Sequence, residues 1–253
     1  MDASTDSPET ADLPPPDRVR PAGGETPPVS LVLTLFDEEE NVGGVVRDLL
    51  DTFRRAAVPL SLILVDNGSR DGTRAIVKRL EEGEPEVQGI YLDDNAGYGG
   101  GILAGMNAAT DDVLGYMWGD DQVAAEDVIR VYRRLVADKL DVAKARRVRR
   151  DDGWKRLIVT KVYNTVTLWW FHIPSIDANG CPKFFTRDAW TRLRASRSDW
   201  FLDPEIMIGV ADLVMKLGEV DVVARARVKG HSKVKASTVV EFAINLTRAR
   251  LNL

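Results

Sequence analysis

Three acidic clusters in this chain each follow an apolar run, and their side chains have the chemistry of a nucleotide or metal site. The runs VSLVLTLF, SLILV and VLGYMW lead into Asp37-Glu38-Glu39-Glu40, Asp66 and Gly119-Asp120-Asp121, respectively. A carboxylate at the end of a buried strand accepts hydrogen bonds from a base or a ribose, and grouped carboxylates hold a hard divalent cation. Taken singly, Asp66 is equally typical of a turn, and Asp120 of a cap on the helix predicted near Ala125.

A glycine-rich segment and two basic clusters are the remaining candidates for phosphate chemistry. The segment NAGYGGGILAG at 95–105 allows close backbone approach to a ligand, but it lacks the ending of a P-loop and does not open the first βα unit, so a flexible loop is the alternative. The basic clusters AKARRVRRDDGWKR at 143–156 and RARVKGHSK at 225–233 suit phosphate oxygens, although charge runs more often form a solvated face.

The elements that must position these groups form an alternating series of strands and helices. Short β-branched runs predict strands at 29–35, 61–66, 87–92, 113–117 and 140–145, and helices are predicted at 40–56, 71–82, 99–109 and 125–138, the second of them capped by Asp71. Such a series predicts a single α/β domain with a mostly parallel central sheet flanked by helices. Because parallel strands point the same way, the three acidic clusters should meet at one edge of the sheet.

Composition agrees with one sizeable α/β domain and excludes several other classes. The chain has 253 residues, of which 44% are hydrophobic and 29% are charged, and its net charge of −5 argues against a general nucleic-acid binder. The single cysteine, Cys181, excludes an internal disulfide and fits a reducing compartment, so we expect a cytoplasmic protein.

The chain divides into three predicted segments. Residues 1–28 are rich in Pro, Asp and Glu and predict a disordered tail, 29–236 form the folded domain, and 237–253 form a C-terminal helix. No run is long and apolar enough to predict a membrane span. The aromatic stretch from Lys155 to Ile173 fits either a core helix or a helix lying in the membrane interface, and the C-terminal helix fits either a membrane surface or a cap on the sheet. Peripheral contact with the cytoplasmic membrane face is therefore expected beside the soluble alternative.

The order of the motifs resembles the inverting glycosyltransferases of family two, which have the GT-A fold. The closest resemblance is to the dolichol-phosphate mannosyltransferase-like enzymes that glycosylate polyprenyl phosphates. It extends from about Val29 to Lys235 and depends on TLFDEEENV, VDNGSRDGT, NAGYGGGILAG, WGDDQ and KGHSK in that order. The resemblance implies transfer of a hexose-type sugar from a GDP- or UDP-linked donor to a polyprenyl phosphate.

The resemblance also implies roles for individual residues. The nucleotide would be bound by the following residues: Leu35, Phe36, Glu38, Asp66, Asn95, Gly97 and Gly101. Asp120 and Gln122 would hold Mg2+ or Mn2+ against the diphosphate, with Asp121 as a neighbouring catalytic carboxylate. The acceptor phosphate would be bound by these residues: Arg146, Arg156, Ser232 and Lys233, the last also being catalytic.

Three positions depart from the family pattern. Trp118 stands where the first Asp of the Asp-x-Asp-x-Gln metal motif belongs, which predicts weaker metal binding or a shifted loop. Asn67 replaces the second Asp of an Asp-Asp pair and keeps an acceptor, so little loss is expected. Thr34-Leu35 replaces Pro-Thr and should alter only the shape of the base pocket.

The acceptor decides whether the reaction needs a protein base. A phosphate oxygen is already anionic at neutral pH, whereas a hydroxyl acceptor must lose a proton, and Asp203 or Glu205 would then be the base. Both residues are equally typical of the acidic start of a helix that runs to Lys216. A family-two enzyme with a soluble hydroxyl or amine acceptor, and an inactive nucleotide-sugar-binding relic, are the alternatives.

Overall fold

The computed structural model describes residues 26–150, 175 and 177–224. In this part of the chain, seven strands form one sheet: β1 Val29–Leu35, β2 Leu60–Asn67, β3 Val87–Leu92, β4 Val113–Trp118, β5 Val142–Arg150, β6 Lys183–Thr186 and β7 Leu217–Ala224. Among the described residues, six helices accompany them: α1 Val42–Arg55, α2 Thr73–Gly83, α3 Gly97–Ala108, α4 Ala125–Ala137, α5 Arg187–Leu193 and α6 Leu202–Asp212. The five predicted strands and four predicted helices are confirmed. Each observed end lies within three residues of the predicted one, with the exception of the end of β5. β5 extends further, to Arg150.

The strand order is β3-β2-β1-β4-β6-β5-β7. Neighbouring strands are parallel except that β6 is antiparallel to both β4 and β5. The mostly parallel α/β sheet is therefore confirmed, and the reversed β6 brings its first residue to the edge where the parallel strands end.

Helices cover both faces of the sheet, because alternate strand residues point to opposite sides. On one face Leu31 and Leu33 belong to a core with α1 and α4, and on the other Val32 packs with α3 and α6. This two-sided burial explains why the strands have nearly continuous apolar runs.

The glycine-rich segment is the beginning of α3, and its glycines allow the helix to approach the sheet closely. A Cβ on Gly105 would lie 2.3 Å from Cγ1 of Val32 and 2.9 Å from Cγ2 of Val65. The alternative of a merely flexible loop is therefore wrong for Gly97 to Gly105, since these residues are helical and Gly105 packs against β1 and β2.

Several predictions concern residues outside this description. They are the tail up to residue 25, the whole stretch from Lys155 to Ile173, and the helix at 237–253. The end of the predicted tail is ordered, because the carbonyls of Pro27 and Pro28 accept hydrogen bonds from Tyr132 and Val113. No helix within the described residues is long and apolar enough to cross a bilayer.

Candidate active site

The ends of β1, β2 and β4 lie side by side, so the sheet brings the predicted acidic clusters together. In register, Leu35 is opposite Asp66, and Thr34 is opposite Trp118, two residues before Asp120. Leu35 itself is fully buried in the apolar core, which leaves only its backbone available to a ligand. The expected convergence of strand ends is confirmed.

Part of the first acidic cluster joins two loops to each other. The Asp37 carboxylate accepts a hydrogen bond from the backbone N–H of Arg70 at 2.8 Å, and the Glu39 carboxylate accepts one from Gly72 at 2.6 Å. Glu38 is buried and accepts a hydrogen bond from the Asn41 side chain at 2.7 Å. These contacts hold the loop after β1 against the start of α2, where the nucleotide is predicted to bind.

Asp66 is completely buried at the end of β2 and already accepts two hydrogen bonds. The backbone N–H of Ser69 donates to Oδ1 at 3.0 Å, and Nε of Arg74 donates to Oδ2 at 2.5 Å. Nη2 of Arg74 also donates to the carbonyl oxygen of Leu92, at the end of β3. The carboxylate predicted to meet the nucleotide is therefore covered by a guanidinium group that sequence reasoning missed.

Asn67 uses both ends of its amide to hold the start of α3. Its Oδ1 accepts a hydrogen bond from the N–H of Ala96 at 2.9 Å, and its Nδ2 donates to the carbonyl of Gly97 at 2.9 Å. An ionised aspartate has no donor for the second contact. Asn67 thus replaces a charge with a hydrogen bond that positions Gly97. The φ of Gly97 is +83°, a conformation that favours glycine. The N–H of Gly97 donates to the side chain of Asn95 at 2.9 Å.

The segment predicted to hold a metal forms a tight turn after β4. Asp120 is 8% exposed, and its Oδ1 accepts a hydrogen bond from the N–H of Gln122 at 3.3 Å, while Asp121 has a φ of +57°. Across the described residues, no group of three or more His, Cys, Asp or Glu side chains has the arrangement of a metal site. The carboxylates of Asp120 and Asp121 and the amide oxygen of Gln122 nevertheless fit Mg2+ or Mn2+. These cations take oxygen ligands and complete their coordination shells with water and phosphate.

Trp118 connects this turn to a buried network instead of contributing a metal ligand. Its Nε1 donates to the hydroxyl of Tyr98 at 3.0 Å, and the guanidinium of Arg147 lies 5.5 Å from its ring centroid. The Tyr98 hydroxyl in turn donates to the carboxylate of Asp203 at 2.6 Å. Trp118 therefore has a structural partner on α3, Tyr98, and through Tyr98 it is linked to Asp203 at the start of α6.

Asp203 is the centre of that network. It is 2% exposed, and it accepts hydrogen bonds from the Tyr98 hydroxyl, from the Tyr116 hydroxyl at 2.6 Å and from Nζ of Lys183 at 2.5 Å. Burial and the charge of Asp203 raise the pKa of both tyrosines well above its usual value, so their hydroxyls act as donors. Burial alone would lower the pKa of Lys183, but the neighbouring carboxylate raises it overall, and the lysine is a cation.

Two further ion pairs lie deep in the same region. Arg147 donates through Nε and Nη2 to Asp177 at 2.8 and 2.6 Å, and Lys144 contacts Glu219 at 3.0 Å. Although burial opposes it, the hydrogen bond from Arg147 holds the pKa of Asp177 below its usual range. Burial lowers the pKa of Lys144.

Sequence reasoning missed these buried cations, although a weak signal was present. Lys144 lies between two alanines in β5, and Lys183 precedes two phenylalanines in β6. A charged residue with apolar neighbours on a central strand indicates a buried ion pair, because an isolated buried charge is too costly.

Of the remaining predicted site residues, two have partners within the protein and three lie outside the described residues. Arg146 pairs with Asp221 at 2.5 Å, with about a third of its side chain exposed. Glu205 accepts hydrogen bonds from the backbone of Ser196 and Arg197, both at 3.0 Å, and so holds the loop before α6. Three residues lie outside the described residues: Arg156, Ser232 and Lys233. The roles assigned to all of these side chains remain predictions.

Solved structures with a similar fold are nucleotide-sugar transferases. A mannosyltransferase from Pyrobaculum calidifontis, in complex with GDP-Man and Mn2+, has a TM-score of 0.59 at 16% identity, covering 82% of this chain and 59% of its own. Glucosyl-3-phosphoglycerate synthase from Mycobacterium tuberculosis, in complex with Mn2+, UDP and its product, has a TM-score of 0.67 at 15% identity, covering 94% and 87%. These similarities establish the fold, and the expected GT-A architecture is confirmed.

Sequence comparison identifies the family. The undecaprenyl-phosphate 4-deoxy-4-formamido-L-arabinose transferase of Proteus mirabilis is 30% identical over 142 residues, which cover 54% of this chain but only 42% of that relative. The model of the family described as "Glycosyl transferase family 2" matches residues 30–202, a range that includes β1 to β4, the Asp120 turn and the start of α6. This chain therefore belongs to glycosyl transferase family 2.

Proposed function

We propose that this protein transfers a hexose-type sugar from a GDP- or UDP-linked donor to a polyprenyl phosphate, with inversion at the anomeric carbon. The acceptor oxygen forms a bond to the anomeric carbon as the bond to the diphosphate breaks, and the electron pair leaves with the nucleoside diphosphate. The similarity to undecaprenyl-phosphate sugar transferases supports this acceptor, and the GDP-Man and UDP complexes of proteins with the same fold support the donor class.

The proposed acceptor is supported by one observation: the two candidate bases, Asp203 and Glu205, are both engaged in hydrogen bonds. Asp203 is buried beneath two tyrosine hydroxyls and a lysine, and Glu205 accepts hydrogen bonds from the loop before α6. A hydroxyl acceptor needs a base within reach of its proton, but a phosphate oxygen attacks as an anion. The engagement of both carboxylates therefore favours an acceptor that is already ionised.

The leaving diphosphate is assigned to the turn after β4. Asp120 and Gln122, with Asp121 beside them, would hold a divalent cation, which would neutralise charge developing on the departing diphosphate. Phe36, Glu38 and Asn95 would line the donor pocket. On the acceptor side, Arg146, Arg156, Ser232 and Lys233 would orient the phosphate, since guanidinium and ammonium groups suit its oxygens.

Calorimetric titration tests the donor site. Purified protein is titrated with GDP and with UDP in Mn2+, in Mg2+ and in chelator, using wild type, Asp120→Ala and the control Asp112→Ala. Asp112 is exposed and precedes β4 at the opposite edge of the sheet. We expect metal-dependent binding of one diphosphate that is lost in Asp120→Ala and kept in Asp112→Ala. Failure of wild type to bind either nucleotide under any condition contradicts a nucleotide-sugar site.

A second assay tests the acceptor. Sugar transfer is measured to a polyprenyl phosphate and to the matching polyprenol, which differ only in the phosphate. Transfer to the phosphate alone supports the proposal. Equal transfer to the polyprenol would show that a hydroxyl suffices, and the acceptor assignment would then be wrong while the donor assignment stands.

A further inference from the structure

Arg74 joins the ends of β2 and β3 at the edge where the nucleotide is predicted to bind. Its Nε donates to Oδ2 of Asp66 at 2.5 Å, and its Nη2 donates to the carbonyl of Leu92. The guanidinium carbon lies 5.9 Å from the ring centroid of Tyr91, one residue earlier on β3. Arg74 is the second residue of α2, so this contact is set by the turn after β2.

The exposure of the two partners differs sharply. The side chain of Asp66 is 0% exposed, whereas that of Arg74 is 36% exposed. A ligand that arrives at this edge therefore meets the guanidinium group before the carboxylate. Both oxygens of Asp66 already have a donor, Ser69 on one and Arg74 on the other.

We propose that Arg74 is a specificity-determining residue of the nucleotide pocket, where it donates hydrogen bonds to carbonyl oxygens of the base and withholds the Asp66 carboxylate from base N–H groups. This inference rests on the proposed function and on the prediction from the sequence that the nucleotide binds beside Asp66. A guanidinium has five N–H donors, and Asp66 and Leu92 each accept one of them, so others remain for a ligand.

The pairing of Arg74 with Asp66 would make the pocket discriminate between guanine and uracil. Guanine presents two adjacent N–H groups that match a free carboxylate in a bidentate pair, whereas uracil presents one N–H between two carbonyl oxygens. Covering Asp66 with a guanidinium removes the contact that favours guanine and offers donors to carbonyl oxygens. Loss of Arg74 should therefore shift the relative affinity toward the guanine nucleotide.

Affinities for UDP and GDP, measured by calorimetry on the full chain, test this inference. For Arg74→Ala we expect the GDP-to-UDP affinity ratio to rise about tenfold, the order expected for one bidentate base contact. Arg79→Ala is the matched control, because Arg79 is an exposed arginine on the same helix, and it should leave the ratio unchanged. The double variant Asp66→Asn/Arg74→Ala should lose the shift, since an amide cannot accept both guanine N–H groups.

The outcomes separate this inference from the proposed function. A ratio that stays within about twofold of wild type in Arg74→Ala, with nucleotide binding retained, overturns the role of Arg74 and leaves the transferase intact. A shift that persists in the double variant also overturns it, because Asp66 would not be its source. If Arg74→Ala does not fold, Arg74→Met serves, since methionine keeps an unbranched stem but has no donor for Asp66, and it should raise the GDP-to-UDP ratio in the same way. Absence of any nucleotide binding by wild type refutes the proposed function itself.

Discussion

Removal of the Lys183 charge is predicted to destabilise the fold strongly. Nζ of Lys183 and Oδ1 of Asp203 are 2.5 Å apart, and the two side chains are 0% and 3% exposed. Breaking a buried pair by removing one partner costs about 3 to 5 kcal/mol, because the other charge stays buried. The Tyr98 and Tyr116 hydroxyls still donate to Asp203, so we expect Lys183→Met to lose about 3 kcal/mol. That loss is a large part of the free energy of unfolding of a typical domain, which is roughly 5 to 15 kcal/mol.

Urea denaturation at neutral pH, followed by circular dichroism, measures this loss. Methionine keeps the unbranched stem of lysine, so the substitution removes mainly the charge. Lys216→Met is the control, because Lys216 is exposed, and it should change the free energy of unfolding by less than about 0.5 kcal/mol. Adding Asp203→Asn to Lys183→Met should restore part of the loss, since no buried charge then lacks its partner.

If the free energy of unfolding of Lys183→Met lies within about 1 kcal/mol of the wild-type value, the buried Asp203 carboxylate does not depend on this cation, and the predicted role of the ion pair is wrong. The ion pair would also be contradicted if the double variant lost more free energy of unfolding than Lys183→Met and Asp203→Asn lose together.

Three further predictions concern the same region. Asp177→Asn should lower stability at neutral pH and flatten the dependence of stability on acid. The pKa of Asp177 in the folded protein lies below its usual range, so the stability that this carboxylate contributes is present above that range and is lost as the pH falls toward the lowered pKa, as urea titrations across pH will show. Trp118→Phe keeps an aromatic ring but removes the indole N–H that donates to Tyr98 and part of the ring surface near Arg147. It should weaken metal-dependent diphosphate binding more than thermal stability, and equal calorimetric affinities would contradict this. Gly105→Ala should cost about 1 to 3 kcal/mol in denaturant midpoint experiments because its Cβ would press on Val32, whereas Gly44→Ala, with open space around it, should stabilise α1 by about 0.5 to 1 kcal/mol.

The first four strands and the helices after them follow from local pattern. Apolar runs of six to eight residues bounded by Gly, Asp and Asn mark β1 to β4, and amphipathic spacing marks α1 and α4. β6 and β7 were not predicted. β6 has only four residues, and β7 mixes Glu and Asp with valines, so neither has a strong periodic signal.

The glycine-rich segment contains two conflicting local signals. Its glycines are typical of loops, but the helix predicted at 99–109 is confirmed as α3, because the small residues let it pack directly on Val32 and Val65. Packing against β1 and β2 offsets the weak helix propensity of glycine.

The sequence alone determined that three acidic strand ends meet at one edge of a parallel sheet, because strand direction and apolar periodicity are local properties. Only the tertiary structure decided which charges are paired. Lys183 and Asp203 are 20 residues apart, Arg147 and Asp177 are 30 apart, and Lys144 and Glu219 are 75 apart. The cost of a buried charge demands some partner, but its identity depends on chain crossings that no local pattern encodes. For that reason the position of Asp66 at the end of β2 was predictable, whereas the guanidinium of Arg74 that covers it was not.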